Sequence, residues 1–169
     1  VNLESLRYEG YGPGGTAILA DCLTSHPERT TVALRRAFAG GGGHLGAQGS
    51  VSYLFQEFGA LRLRDPGDGA VAAVALEAGA EEVVRLADGA IEVLTAPTEL
   101  AIVAGALHAA GFPVVGSELT TRSSSLVPVS GESAAALARL LETLISLEDV
   151  HHVYSNAALP EPFLARLPA

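Results

Sequence analysis

Four groups of residues in this chain have types and spacings that suggest chemistry. Cys22 follows Asp21 and stands shortly before His26, a set that can be read as a thiol nucleophile with an acid and a base. A cysteine nucleophile needs a base within reach and an electropositive surrounding. Cys22 instead sits inside the apolar run Thr16 to Leu23, where a buried, inert thiol is the ordinary outcome. His151 and His152 are neighbours in an extended segment and so point to opposite faces, a poor metal pair. His108 has no second ligand one helical turn away, and Glu81, Glu82 and the other acids are spread along solvated faces. The sequence therefore predicts no catalytic residue, no metal site and no cofactor.

The other two groups are glycine-rich loops, Gly10-Tyr11-Gly12-Pro13-Gly14-Gly15 and Gly40 to Gly43 followed by His44, Leu45 and Gly46. Such loops can turn successive backbone N–H groups towards an anion. The first lacks the Lys and Ser/Thr of a P-loop and the G-x-G-x-x-G spacing at a strand-to-helix turn. It reads either as a structural turn or as a surface loop, with Gly12, Gly14 and Gly15 near RNA and Tyr8 and Tyr11 as stacking faces. The second reads either as a helix C-cap with an exposed histidine or as a close backbone approach at Gly42 and Gly43, with His44 donating to a phosphate. Arg29, Arg35 and Arg36 lie between the loops; with Arg7 and Arg122 they form either a local basic patch or ordinary solvated charges.

These residues need elements to hold them. Tyr8 to Gly15 is too rich in glycine and proline for a regular central strand, so it reads as a short extended piece and a turn. Thr16 to Leu23 is a strand, and Glu28 or Thr30 opens a helix with Val32, Leu34, Ala37 and Phe38 on one stripe, ended by the glycine run. Ser50 to Phe58 alternates as a strand, continued or restarted over Ala60 to Arg64. Asp65 to Gly69 is a turn, Ala70 to Ala78 a short helix, and Glu81 to Leu86 and Ala90 to Thr95 a hairpin closed by Asp88-Gly89. Glu99 to Ala110 is a helix, and Val114 to Ser124 is extended. Leu126 to Val129 is a strand piece carrying an edge proline. Ser133 to Leu147 is the clearest helix, Val150 to Tyr154 a last strand, and Asn156 onward a proline-bearing tail. The order predicts an α+β chain of two ferredoxin-like βαββαβ domains, one inserted into the other. Residues 59–118 form the inserted domain; residues 1–58 and 119–169 form the discontinuous one.

Composition narrows the classes. At 169 residues and 49% hydrophobic, the chain has ample material for a core built mainly of Ala, Val, Leu and Ile. No apolar window is long enough for a membrane helix and no basic n-region opens the chain, so neither a span nor a secretory signal is read. One cysteine allows no internal disulfide, which fits a reducing compartment. The net charge of −9 argues against a broad basic face for duplex nucleic acid; the ten cations are all arginine. Without Met and opening at Val1, the chain reads as part of something longer.

The segments YEGYGPGG, AILADCLT and GGGGHLGAQGSVSYLF, followed by VLTAPTEL and LEDVHHVYSNA, resemble the YebC/PmpR family over residues 5–158. The resemblance implies a cytoplasmic, non-enzymatic regulator of gene expression. It is a transcriptional regulator by older assignment, with mitochondrial relatives that activate translation and bacterial ones associated with ribosomes. It also implies a Lys/Arg-rich N-terminal helical domain that this chain lacks and that would carry most of the grip on nucleic acid or ribosome. The family loop is usually C-G-G-N-L-G; here Gly41 or Gly42 stands where Cys is common, and His44 where Asn is common. A shorter stretch, Gly40 to His44 with Ala47 and Gly49, is similar to the nucleic-acid-contacting motif of DHHA1 domains, without any DHH cluster. The alternative reading is a small-molecule-sensing ferredoxin-like module. Oligomeric state is left open.

Overall fold

The computed structural model describes residues 2–67 and 69–164. In chain order the elements are β1 (Glu4–Gly12), β2 (Thr16–Thr24), α1 (Pro27–Gly40), β3 (His44–Leu45) and β4 (Phe55–Arg64). Next come α2 (Ala70–Glu77), β5 (Glu82–Arg85), β6 (Ala90–Thr95), α3 (Leu100–Ala109) and β7 (Val114–Ser123). The chain continues through β8 (Val127–Pro128), α4 (Gly131–Ser146), β9 (Val150–Ser155), β10 (Ala157–Ala158) and α5 (Glu161–Leu164). They fall into two compact units, Val1–Gln56 with Arg122–Ala169, and Glu57–Thr121.

In the Glu57–Thr121 unit the strand order β5-β6-β4-β7, with α2 and α3 as the crossovers, is the βαββαβ order of the ferredoxin-like fold. Period-2 alternation puts Leu61, Leu63, Ile91 and Val93 on one sheet face, where they meet Val71, Ala75, Val103 and Leu107 of the helices. All eight are buried. The turn that closes β5 onto β6 is not a two-residue type I′ turn, because Gly89 is left-handed and Asp88 is not. Gly89 N donates to Leu86 O at 3.0 Å and Leu86 N to Ala90 O at 2.8 Å, the pattern of a type I turn followed by a glycine bulge.

The other unit has the sheet order β3-β1-β2-β9. β1 and β2 form a hairpin in unbroken register from Glu4↔Thr24 to Gly12↔Thr16. The sequence reading of Tyr8 to Gly15 as too broken for a central strand is corrected here, since β1 pairs on both sides. Its glycines have a packing reason. A Cβ on Gly10 would lie 2.5 Å from the Phe38 ring, and one on Gly12 would lie 2.9 Å from Leu137. Glycine lets α1 and α4 rest directly on the strand backbone.

α1 opens with Pro27 in its first turn and Glu28 beside it, both favourable at a helix N-terminus. Its buried positions Thr30, Leu34 and Phe38 recur every fourth residue. α4 contributes Leu137, Leu140, Leu141 and Leu144 to the same core, against Ile18, Ala20 and Cys22 of β2. A smaller cluster of Ala17, Leu19 and Val51 lies on the opposite sheet face.

Two further segments differ from the sequence reading. Ser50 to Phe58 is not one strand: Ser52–Leu54 is a 3-10 turn and β4 starts at Phe55. Asn156 does not open a loose tail, because its side chain is buried and its Oδ1 accepts from Ala17 N at 2.8 Å. β10 then pairs parallel with β8, and Leu159 joins the core. Val1, Asp68 of the Asp65–Gly69 turn and the end of the proline-bearing tail lie outside the described residues.

Candidate nucleic-acid interface

The two glycine loops are neighbours in space. β3 is only two residues long, yet it sets Leu45 opposite Gly10 and His44 opposite Tyr11. The approach needs glycine at position 43, where a Cβ would run into the Tyr11 carbonyl oxygen. The His44 and Tyr11 rings stack with centroids 4.8 Å apart, and the Tyr11 hydroxyl donates to Ser50 O at 3.3 Å.

What fixes this region is a residue that the sequence reading passed over. Glu9 is buried, and its carboxylate accepts from the backbone N–H of Gly49 at 2.6 Å, Val51 at 2.9 Å and Ser52 at 2.6 Å. Its own carbonyl accepts from Gly46 N at 2.8 Å. Burial alone would raise the Glu9 pKa; the hydrogen bonds from Gly49, Val51 and Ser52 outweigh it and hold the carboxyl below its ordinary value. One buried anion thus organises residues 46–52 and, through β3, aligns the second glycine loop with the first.

The backbone donors of the second loop are engaged elsewhere. Gly41 N donates to Ala37 O and Phe38 O, Gly42 N to Ala39 O, and Gly43 N to Phe38 O. These bonds cap the C-terminus of α1, as helix-terminal glycines do. The loop therefore offers shape and an exposed His44, while its N–H groups stay with the helix. Gly14 and Gly15 are exposed at the hairpin turn, both with positive φ, whereas Gly12 is buried in β1.

The other candidate residues separate into two sets. Tyr8, read from the sequence as a stacking face, packs against the helical core with its hydroxyl 2.8 Å from Thr31 Oγ1. Arg7 makes a two-pronged pair with Asp21, its cross-strand partner, at 2.6 and 2.8 Å. Arg122 is exposed at the end of β7. Arg29, Arg35 and Arg36 are exposed on α1, and among the described residues none of the three makes an ion pair. Arg29 and Arg36 lie two helical turns apart on one face, about 10 Å along the axis.

A fourth unpaired arginine was missed. Arg139 of α4 lines, with Arg36, a groove of about 600 Å³ that ends at Gly40, Gly41 and Gly42. The sequence pattern places Arg139 on the exposed side of an amphipathic helix but carries no signal that this side faces α1.

Cys22 is buried in β2, and its thiol donates to Ala20 O at 4.0 Å. Burial raises the thiol, the charges of Asp149 and Asp21 raise it further, to about 11, and the group stays a neutral thiol at pH 7. Among the described residues no group of three or more His, Cys, Asp or Glu is placed to hold a metal. No described helix is long and apolar enough to cross a membrane.

The family model described as TACO1/YebC second and third domain matches residues 3–157. A probable transcriptional regulatory protein of Methylococcus capsulatus is 48% identical over 98% of this chain and 67% of its own length. One from Halorhodospira halophila is 47% identical over 93% of this chain and 64% of its own. A crystal structure of a conserved hypothetical protein from Aquifex aeolicus superposes with a TM-score of 0.82 at 34% identity, over 94% of this chain and 66% of that one. The chain thus spans about two thirds of the length of these relatives.

Proposed function

The chain belongs to the TACO1/YebC family, and from that premise we propose that it is a non-enzymatic regulator of gene expression that contacts nucleic acid or the ribosome in the cytoplasm. Its relatives' names support a regulatory role. The observation that carries a macromolecular contact is the set of arginines Arg29, Arg35 and Arg36, exposed along α1 without ion pairs among the described residues, with Arg36 at the end that runs into the second glycine loop, in a chain of net charge −9. Charges left without partners in an acidic protein are the residues able to meet phosphate. Gly14, Gly15, Gly42 and His44 present the exposed loop surface next to them, with Tyr11 stacked beneath His44.

Three or four arginines support weak, salt-sensitive contact; each neutralised phosphate on a single strand contributes a slope of about −0.7 in log affinity against log salt. The larger share of the grip falls to the basic N-terminal domain that the family resemblance implies. Co-sedimentation with ribosomes, alongside filter binding to RNA and to duplex DNA, tests the proposal. Salt-sensitive binding reduced by Arg29→Ala and Arg35→Ala is expected. A chain that ignores ribosomes, RNA and DNA, but melts higher with a metabolite, would instead be a sensing module.

A further inference from the structure

Five features of the groove between α1 and α4 bear on one ligand class. Arg36 stands on one wall and Arg139 on the other, and neither has an ion-pair partner among the described residues. No acidic, amide or aromatic side chain lines it. The floor is made of small and apolar groups, Ala37, Ala136, Gly41 and Leu140. Thr143 stands at the rim, but its hydroxyl donates to Arg139 O at 2.9 Å. Arg36 also borders a shallower depression with Glu28, Arg29, Val32 and Ala33 along the outer face of α1, where two arginines outnumber one carboxylate. Positive charge therefore continues from the groove along the helix.

We propose that this groove seats the sugar–phosphate backbone of a single-stranded nucleic acid, with Arg36 and Arg139 on a phosphate and Arg29 on a later one along the same strand. The inference rests on the regulatory reading above and deepens it by naming the site and the ligand's chemistry. A guanidinium on each wall suits a phosphate, since its planar fork matches phosphate oxygens. The groove lies at the C-terminus of α1, whose dipole presents roughly half a negative charge and whose glycine N–H groups are engaged in the cap. Two full positive charges outweigh that half charge, so the arginines rather than the backbone hold the ligand. The repeat of cations over about 10 Å of helix favours a polyanion over a lone phosphate. With no aromatic or amide group in the lining, nothing reads base edges, and sequence preference is expected to be weak. A duplex would need a broader basic face than these residues supply.

The test is fluorescence anisotropy with labelled oligo(U) and oligo(dT) across a salt series, with inorganic pyrophosphate as competitor. Arg36→Ala and Arg139→Ala are each expected to weaken binding roughly five- to tenfold, the loss of one charge-assisted contact. Each should also flatten the salt slope by about 0.7. Gly40 provides a variant that leaves the fold intact, because a Cβ there meets nothing within 4 Å. Gly40→Glu, which puts a carboxylate at the groove, should reduce affinity at least as much, while Gly40→Ala should not. Equal binding of oligo(U) and oligo(dT) supports backbone recognition, and a strong preference for either assigns the contact to sugar or base and overturns it. If Arg29→Ala and Arg35→Ala weaken binding while Arg139→Ala and Gly40→Glu do not, the groove is excluded and the broader regulatory reading stands. If the unaltered chain binds neither oligomer at low salt but binds ribosomes, the single-strand site is overturned and that reading again survives. Binding of neither oligomers, duplex DNA nor ribosomes removes both. Tight pyrophosphate binding at Arg36 and Arg139 without oligomer binding makes the site one for a small polyanion.

Discussion

The two units of this chain reach similar two-layer α+β cores by different chemistry. In Glu57–Thr121 the helices and sheet meet through eight buried aliphatic side chains. In the other unit an apolar core of the same kind is supplemented by buried polar residues that tie together segments far apart in sequence. Glu9 holds residues 49–52, and Asn156 bonds both the N–H and the C=O of Ala17. Thr30 reaches Thr24 at 2.8 Å and Asp149 at 2.9 Å. A unit whose chain is interrupted by another must close over long separations, and directed hydrogen bonds specify which backbone meets which. Burying such groups stabilises only while every partner is present.

The comparison breaks most visibly at the cores. Phe38→Ala and Leu107→Ala remove fully buried side chains, one from each unit, and each is expected to cost about 3–5 kcal/mol in urea unfolding. A cost below about 1 kcal/mol for either would mean that its core is not closely packed.

Glu9 should separate the units. Glu9→Gln keeps the size of the side chain but replaces one acceptor oxygen with a donor facing backbone N–H groups, at an expected cost of about 2–3 kcal/mol. Hydrogen exchange is the direct readout: the amides of Gly49, Val51 and Ser52 should lose protection while those of β4 and β6 keep theirs. Uniform loss across both sheets would show that Glu9 does not act locally.

The same residue gives a pH dependence. Its folded pKa is lowered, so its contribution is fully present above the unfolded value near 4.5 and disappears as pH falls through the folded value. Stability of the discontinuous unit should therefore fall in acid below about pH 4.5, and Glu9→Gln should remove much of that slope. An unchanged slope in the variant would assign the acid sensitivity to other carboxylates.

The difference between the units also explains what was legible in the sequence. In Glu57–Thr121 the expected helix Ala70 to Ala78 ends one residue later than α2, and the expected strand Ala90 to Thr95 coincides with β6. There, apolar period and glycine punctuation are local signals of local structure. β1 was missed because Gly10 and Gly12 look like breakers, and their justification is Phe38 and Leu137 packing on them from distant helices. Glu9 and Asn156 carry no periodic signal, since what makes them structural is a partner found only after folding. The arginines were recognisable as a type. Which of them are free depends on strand register and helix packing, which no spacing rule supplies.

Arg7 makes that last distinction measurable, with the smallest expected effect. It and Arg36 look equivalent in sequence, but the β1–β2 register sets Arg7 against Asp21, whose two carboxylate oxygens accept from its Nε and Nη2 at 2.6 and 2.8 Å. Both side chains are partly exposed, so the pair is screened and Arg7→Ala should cost less than about 1 kcal/mol, less still at high salt. A cation already matched by an anion adds little to phosphate binding, because the carboxylate must be displaced before a phosphate can take its place. Arg7→Ala should accordingly leave the affinity for oligo(U) and its salt slope unchanged where Arg36→Ala alters both. Asp21→Asn sharpens the contrast: removing the carboxylate charge opposite Arg7 should steepen the slope by at most about 0.7 if Arg7 lies within reach of bound strand. A drop in affinity on Arg7→Ala equal to that on Arg36→Ala would show that the ion pair opens on binding, and that register does not decide which arginines meet the ligand.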